Sequence, residues 1–400
     1  MKARFSSPGL AGLAGLVLSC SSAAPSESER TSTVRAPIVN GVDSDASQDA
    51  IVLVMHYDAV KEGGGAASGC TGSLLTPRLV LTARHCVATT DPGAACNSEG
   101  KPVAGGAVEK DHEPSAIYVF AGKDRPDFLS GTAKPVRGKE ILTTGATTLC
   151  DNDIALVLLE RPLPEGKIAP VRLDAKPEKG ETVTVVGWGI ADDDPNPSTR
   201  QQRSGVTIVD VGPADELGPK EFRIGEGTCQ GDSGGPAIAA SGAVLGALSR
   251  GGNGSAATGA DACLGGTNIF TSTAAHADFI RAGYQKAGQE PWLEGQPNPL
   301  LAVNGAACAA DADCRSNVCD AERKTCAEEC SSAGACNGGF TCVAQSERKI
   351  CAPTGANEDD YDGCSASPRG SSRSSVAASV SSAFALAVLF SSVRRRKRPD

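Results

Sequence analysis

Short runs of β-branched and aliphatic residues recur through the middle of the chain, and each is bounded by glycine, proline or small polar residues. Runs of this length between turn residues predict antiparallel β-barrels or β-sandwiches. The 47 glycines and the aromatic content of only 4% also favour a turn-rich β protein. We therefore predict an all-β chain whose strands include residues 51–55, 117–120, 154–159, 183–186, 206–211 and 243–248.

The sixteen cysteines are clustered, which indicates an oxidising compartment. Eight of them lie in residues 304–353, a segment with hardly any aliphatic residues. Because disulfides replace a core in such segments, we predict a small module with four of them, whose connectivity the sequence leaves open. A zinc site is the alternative reading. Only Cys326 and Cys330 are spaced closely enough to suggest one, and the segment has no histidine.

The N-terminal residues 1–20 have the layout of an export signal, with Lys2 and Arg4 before an apolar run that leads to Cys20. The end of this run resembles a bacterial lipobox, which implies acylation of Cys20; simple cleavage nearby is the alternative. Residues 21–37 are too polar to fold alone and are predicted to be a propeptide or linker. The net charge of −9 argues against nucleic acid as a partner.

Residues 354–400 combine an acidic, serine-rich linker with an uncharged stretch at 374–393 and a basic cluster at 394–398. The uncharged stretch is just long enough to cross a bilayer, and the basic cluster would hold the C-terminus in the cytoplasm. With Cys364 ahead of the stretch, this order resembles the myxobacterial C-terminal sorting tag, which implies processing and anchoring at that cysteine. A disordered low-complexity tail is the alternative.

A glycine-rich segment at 227–236 surrounds Ser233 and favours a reactive serine. The serine hydroxyl is a weak nucleophile by itself, so it needs a general base, an orienting acid and donors for the developing oxyanion. His85 precedes Cys86 upstream, and Asp153 precedes an apolar run. These residues occur in the order histidine, aspartate, serine, with Asp151 as a competing carboxylate.

Five sequence motifs, taken in order along the chain, give this part of it a resemblance to the chymotrypsin-like serine proteases of the S1 peptidase family. They are residues 38–41, the pair Cys70 and Cys86, residues 187–189, the serine segment, and residues 249–251. The resemblance implies a protease domain at 38–293 built from two antiparallel six-stranded β-barrels, roughly 38–175 and 176–293. It also implies a site between the barrels and a closing helix near 276–284.

The resemblance assigns a role to each candidate site residue. His85 would be the general base, Asp153 would hold its tautomer, and the N–H groups of Gly231 and Ser233 would bind the oxyanion. No metal or organic cofactor is implied. Arg84 is a departure, because the family usually has a small residue before the histidine; either the local packing differs or a carboxylate meets this arginine.

The implied specificity pocket has Gly227 at its base and Ser249, Gly251 and Asn268 on its walls. A glycine at the base lacks the carboxylate that would select arginine or lysine, although Glu226 lies next to it. We therefore expect a preference for a neutral, small or medium apolar residue.

The family's activation switch would pair a new N-terminal amine on Ile38 with Asp232, because neither charge is tolerable alone when buried. The alternative is a plain strand start at Ile38 and a solvated Asp232. Pro37 stands where trypsin-activated zymogens have arginine or lysine, so either another protease makes the cut or trimming follows it.

The resemblance further implies the disulfides Cys70–Cys86 and Cys229–Cys263. Cys96 and Cys150 remain in the domain and pair by elimination, which would close the long insertion at 91–114 onto the segment before Asp153.

Together these features predict a secreted, surface-anchored serine endopeptidase. Its expected partners are polypeptide substrates, an activating protease and the cell-envelope membrane, and it is expected to be a monomer. The alternative is a catalytically silent, protease-like surface binding module.

Overall fold

The computed structural model describes residues 38, 41–58, 66–127, 133–189, 197–332, 335–336, 340–345 and 348–354. The predicted features at Cys20, residues 21–37, Cys364 and 374–400 lie outside these residues. Within the described part, no helix is long and apolar enough to cross a membrane.

The described strands are β1 Val42–Asp43, β2 Ile51–Asp58, β3 Ala66–Thr76, β4 Leu79–Thr82, β5 Ala88–Thr90, β6 Ala95–Cys96, β7 Pro102–Ala104, β8 Val108–Asp111, β9 Ile117–Phe120, β10 Val136–Thr143, β11 Ala155–Leu159, β12 Thr182–Gly187, β13 Gln201–Val211, β14 Glu221–Ile224, β15 Pro236–Ala239, β16 Val244–Gly252, β17 Thr267–Ser272, β18 Cys319–Asp320, β19 Thr325–Cys326, β20 Phe340–Gln345 and β21 Arg348–Pro353.

Helical structure is sparse in the described residues. The α-helix α1 spans Ala277–Ala287. Short 3₁₀ helices cover Ala46–Gln48, Arg84–Cys86, Pro114–Ala116, Gly259–Ala262, Ala274–His276 and Asp311–Asp313.

The first barrel is closed and antiparallel, with strand order β10-β11-β4-β3-β2-β9. Closure gives every strand two neighbours, so no backbone edge is left open to pair with another chain. Alternate aliphatic side chains point inward and form one core cluster, which includes Val52, Val54, Val80, Ala155 and Val157.

The second barrel contains β12 to β17. Its strands run in the order β13-β12-β15-β16-β17-β14, and pairing of β13 with β14 closes the ring. The core includes Val185, Ile208, Phe222 and Phe270, and the two phenylalanine rings stack at a centroid distance of 5.3 Å. The prediction of two six-stranded antiparallel barrels and an additional disulfide-rich region is confirmed.

The N-terminal end of the two-barrel region contacts the second barrel, and its C-terminal helix contacts the first. Strand β1 near the N-terminus pairs with β13 of the second barrel, and Ile38 is fully buried in that barrel's core. The second barrel therefore includes residues that we had placed in the first. Helix α1, in turn, follows the second barrel but packs on the first.

Helix α1 buries Ile280 and Tyr284 in a cluster with Leu79 and Leu156 of the first barrel. The contact is so close at Gly283 that a Cβ there would lie 2.3 Å from a methyl group of Leu156. The helix ends at Gly288, whose left-handed φ of 69° suits glycine at a C-terminal cap.

Residues 88–111 form an insertion that follows the 3₁₀ helix Arg84–Cys86. Strand β5 pairs with β8, and β6 pairs with β7, so the insertion consists of two small hairpin-like sheets. A disulfide joins Cys96 to Cys150. At its base, Asp111 lies 2.6 Å from the guanidinium of Arg84, so a carboxylate meets the arginine that the sequence marked as a departure.

The eight cysteines of the C-terminal region form four disulfides, Cys308–Cys319, Cys314–Cys326, Cys330–Cys342 and Cys336–Cys351. A sulfur held in a disulfide is not a thiolate ligand, so these cysteines serve as cross-links. The chain divides into two compact units at Glu329 and Cys330. This division falls inside residues 304–353, which we predicted as one module.

We expect Asp111→Ala to destabilise the protein by about 2 kcal/mol, because it leaves a buried guanidinium without its counter-charge. The Arg84 side chain is only 8% exposed, whereas that of Asp111 is 44% exposed. The double variant with Arg84→Ala should recover most of the loss, since it removes both charges. Urea unfolding measures the free energy of unfolding of the wild type and both variants.

The matched control is Glu109→Ala, an exposed acid on the same strand. It should leave the free energy of unfolding unchanged. A loss in Asp111→Ala no larger than that of this control would contradict the importance of the ion pair.

Candidate active site

Three loops bring the predicted histidine, aspartate and serine together where the barrels meet. His85 lies in the 3₁₀ helix after β4, Asp153 lies just before β11, and Ser233 lies in the turn before β15. His85 and Ser233 border one cleft of about 380 Å³, and Asp153 is fully buried. The disulfide Cys70–Cys86 ties the histidine helix to β3.

The Asp153 carboxylate accepts three hydrogen bonds. Its Oδ2 lies 2.8 Å from His85 Nδ1, and its Oδ1 accepts from the His85 backbone N–H at 3.0 Å. The Ser249 hydroxyl donates to Oδ2 at 2.7 Å. The imidazole is thereby held through Nδ1, which leaves Nε2 as the ring nitrogen for proton transfer.

The sequence predicted the position of Ser249 at the cleft but not its hydrogen bond with Asp153. The sequence placed it on a wall of the specificity pocket, and it does border the cleft. Its hydroxyl also contacts Asp153, from a strand of the other barrel. No local pattern signals this bond, because the two residues are 96 positions apart.

The surroundings of the buried His85–Asp153 pair favour the charged form of each residue. Burial alone would raise the pKa of Asp153, but the adjacent imidazole and the hydrogen bonds from Ser249 and the backbone lower it. Burial alone would lower the pKa of His85, but the Asp153 carboxylate outweighs burial and raises it. A raised histidine pKa strengthens the ring as a proton acceptor.

Asp151, the competing carboxylate, has other partners. Its Oδ1 accepts from the backbone N–H of Lys220 at 2.8 Å, and its own carbonyl oxygen lies 2.7 Å from Nε2 of His276. Burial raises the pKa of Asp151, and the hydrogen bond from the Lys220 backbone opposes it only in part. The contact with His85 is thus made by Asp153.

Glycines allow the serine loop to approach the backbone and side chains of both barrels closely. A Cβ on Gly234 would lie 2.1 Å from the Thr82 hydroxyl, and one on Gly231 would lie 2.8 Å from Cα of Gly189. Both glycines have positive φ, of 76° and 98°. Among the described residues, the N–H groups of Gly231 and Ser233 donate to no other group, so both are available to a ligand in the cleft.

Asp232, directly before Ser233, is only 1% exposed, so the alternative of a solvated side chain is wrong. Its carboxylate accepts from the backbone N–H groups of Gly189 and Cys229, both at 2.8 Å. Burial raises its pKa from the ordinary 3.8 to about 7. Among the described residues no cation pairs with it, and Ile38 is linked to Pro37 and has no amine to offer.

The specificity end of the cleft is filled partly by Asn268. Its amide exchanges hydrogen bonds with the backbone of Thr228 at 3.2 and 3.3 Å. A Cβ on Gly251 would lie 2.4 Å from the same amide nitrogen, so the asparagine lies beside that wall. Gly227 is buried against Val185 and does not line the cleft.

Glu226 contributes no unpaired charge to this pocket. Its carboxylate lies 3.0 Å from the Arg203 guanidinium and also accepts from the backbone N–H of Gly265. The disulfide Cys229–Cys263 borders the same end of the cleft. Glu226 therefore adds no unmatched charge to this end of the cleft.

Comparisons with known proteins identify the family of this chain. The family model Trypsin matches residues 38–280. The chain is 27% identical over 289 residues to phenoloxidase-activating factor 3 of Holotrichia diomphalia, which covers 67% of this chain and 78% of that protein. It is 30% identical over 201 residues to the cercarial protease of Schistosoma mansoni, over 46% of this chain and 70% of that protein.

Among solved structures, human heparin binding protein is similar over 64% of this chain and all of its own, with 21% identity and a TM-score of 0.44. The family match extends over more than half of the chain and includes both barrels and the cleft between them. The chain belongs to the trypsin family of chymotrypsin-like serine proteases.

Proposed function

We propose that this protein is an exported serine endopeptidase that cleaves peptide bonds through His85, Asp153 and Ser233. One observation carries the proposal. A fully buried carboxylate holds the imidazole at 2.8 Å, and that histidine shares a cleft with a serine flanked by unengaged backbone donors. These parts are what nucleophilic acyl transfer requires.

In the proposed reaction, the Ser233 Oγ attacks the substrate carbonyl carbon as Nε2 of His85 takes its proton. The carbonyl oxygen becomes an oxyanion and accepts from the N–H groups of Gly231 and Ser233. The imidazolium, stabilised by Asp153, then protonates the leaving amine, and the C–N bond breaks to give an acyl-enzyme. Water activated by His85 hydrolyses the ester and releases Ser233.

The pocket supports a preference for a small neutral residue at P1, the position on the acyl side of the scissile bond. The Asn268 amide occupies space at the wall, and the Glu226 charge is matched by Arg203. A long cationic side chain would find no unpaired carboxylate at that wall.

Activation is proposed to depend on Asp232. The carboxylate is buried with two N–H donors and without a counter-cation in the described residues. Cleavage before Ile38 would create an ammonium able to pair with it, and the pair would fix the loop that carries Gly231 and Ser233.

Export and attachment complete the proposal. Disulfides such as Cys70–Cys86 suit an oxidising compartment outside the cytosol. The two cysteines beyond the described residues, Cys20 and Cys364, are proposed as sites of membrane attachment at the cell surface, since two lipid signals retain a protein better than one.

We expect Ser233→Ala to lower peptide hydrolysis by at least about 10⁴-fold without unfolding the protein, because the nucleophile is lost. The experiment uses protein that begins at Ile38 and measures kcat/KM on peptides with alanine at P1. Ser115→Ala, an exposed serine in a short 3₁₀ helix, is the control and should retain full activity.

Labelling with a fluorophosphonate tests the same residue independently. Wild-type protein should be modified at Ser233, as located by peptide mass analysis, and Ser233→Ala should not be. A wild-type protein beginning at Ile38 that neither reacts nor hydrolyses would contradict the proposal and support the silent binding module.

The uncleaved chain should lose stability as pH rises from about 4 to about 7. An acid whose pKa is raised on folding favours the folded state below its unfolded pKa, and this advantage is lost as pH passes the folded pKa. For Asp232, with a folded pKa of about 7, urea unfolding should give about 2 to 3 kcal/mol less stability at pH 8 than at pH 5.

Protein beginning at Ile38 should lack most of this decline, because its ammonium would lower the pKa of Asp232. Asp232→Asn in the uncleaved chain removes the titrating group and is the matched control. Identical pH dependence in the cleaved and uncleaved proteins would rule out the proposed pairing.

A further inference from the structure

The insertion at 88–111 forms one wall of the cleft. Residues 90–94 border the same cavity as His85 and Ser233. A segment at this position meets any polypeptide that reaches the serine. Its shape and charge therefore bear on which polypeptides can bind.

The two arms of the insertion are held tightly together behind this wall. The backbone N–H of Asp91 donates to Ala107 at 2.9 Å, and that of Gly106 donates back to the Asp91 carbonyl at 3.1 Å. A Cβ on Gly105 would lie 2.2 Å from the Pro92 carbonyl oxygen. At this crossing the backbones touch directly, which leaves Asp91 little freedom to move.

The insertion is also fixed at two points to the turns that carry the proposed catalytic residues. The Cys96–Cys150 disulfide joins it to a residue three positions before Asp153. The ion pair of Asp111 with Arg84 joins it to the residue before His85. The wall thus has a defined position relative to the reacting groups.

The described lining of the cleft has one charge without a counter-charge. Besides His85, its ionisable residues are Asp91 and Arg250. Arg250 donates to both oxygens of the buried Glu221, at 2.6 and 2.7 Å, so its charge is matched. Asp91 is exposed, and among the described residues its carboxylate makes no hydrogen bond or ion pair.

We propose that Asp91 is a specificity determinant that favours substrates with lysine or arginine within two residues of the P1 residue. The inference rests on the proposed protease function and adds a second element to it. The P1 pocket takes a small neutral side chain, and the acid on the wall selects a basic neighbour. In a solvent-exposed cleft such an attraction gives a preference of roughly twofold to fivefold, which falls as salt rises.

The experiment uses the full chain processed to Ile38 and peptides with alanine at P1. Each of the positions P3, P2, P1′ and P2′ is occupied in turn by lysine, glutamine or glutamate. Wild-type protein should prefer lysine to glutamine by roughly twofold to fivefold in kcat/KM at one or more of these positions at low salt, and glutamate should be worst there.

Asp91→Asn should abolish that preference, so that the ratio of kcat/KM for the lysine and glutamine peptides falls to about 1, and Asp91→Lys should favour glutamate instead. Glu109→Gln is the matched control, an exposed acid of the same insertion outside the lining of the cleft. It should retain the preference for lysine, which should weaken in 0.5 M salt for both it and the wild type.

Two other outcomes would separate the proposals. A lysine preference that survives in Asp91→Asn, or an active wild type without one, overturns the role of Asp91 and leaves the protease function intact. A wild type that cleaves none of the peptides and takes no fluorophosphonate label overturns the proposed function, and this inference falls with it.

Discussion

The buried carboxylate of Asp153 is the interaction on which the rest of the site depends. A fully buried charge is costly unless its oxygens are satisfied. Here three donors satisfy it, two from His85 of the first barrel and one from Ser249 of the second. The same bonds that make the charge tolerable also orient the imidazole and join the two barrels at the cleft.

Disulfides, an ion pair and close glycine contacts fix the positions of His85, Asp153 and Ser233 relative to one another. The Cys70–Cys86 disulfide fixes the histidine helix to the first barrel, and the insertion braces the turns of His85 and Asp153 through its disulfide and ion pair. Glycines let the serine loop pack against that barrel without a side-chain clash. Asp232 differs, because its buried carboxylate has two N–H donors but no counter-cation among the described residues. This is why we propose it as the group on which activation depends.

Sequence reasoning predicted the parts of the fold that local pattern controls. The aliphatic runs at 117–120 and 183–186 lie within strands of the structure. Strand β10, Val136–Thr143, was missed because its glycine and charged residues hide the alternation that packing imposes. The closing helix runs three residues beyond the predicted end, to Ala287, and the following Gly288 was the available signal.

Long-range pairings were harder to predict because nothing in the local sequence encodes them. The sequence indicated that Arg84 needed a partner but not that Asp111, 27 residues away, would supply it. It placed Ser249 at the pocket but not against Asp153. It also placed Ile38 and strand β1 in the first barrel by order alone, whereas the burial of Ile38 and the pairing of β1 with β13 bring them to the second.

The pKa of the His85 imidazole, measured by NMR, tests the central interaction most directly. With only four histidines in the chain, its ring signals can be assigned by substituting the others. The account predicts a pKa above the ordinary value of 6.5 in the wild type and a fall in Asp153→Asn, where the compensating charge is gone. A His85 pKa at or below 6.5, or one unaffected by Asp153→Asn, would contradict it.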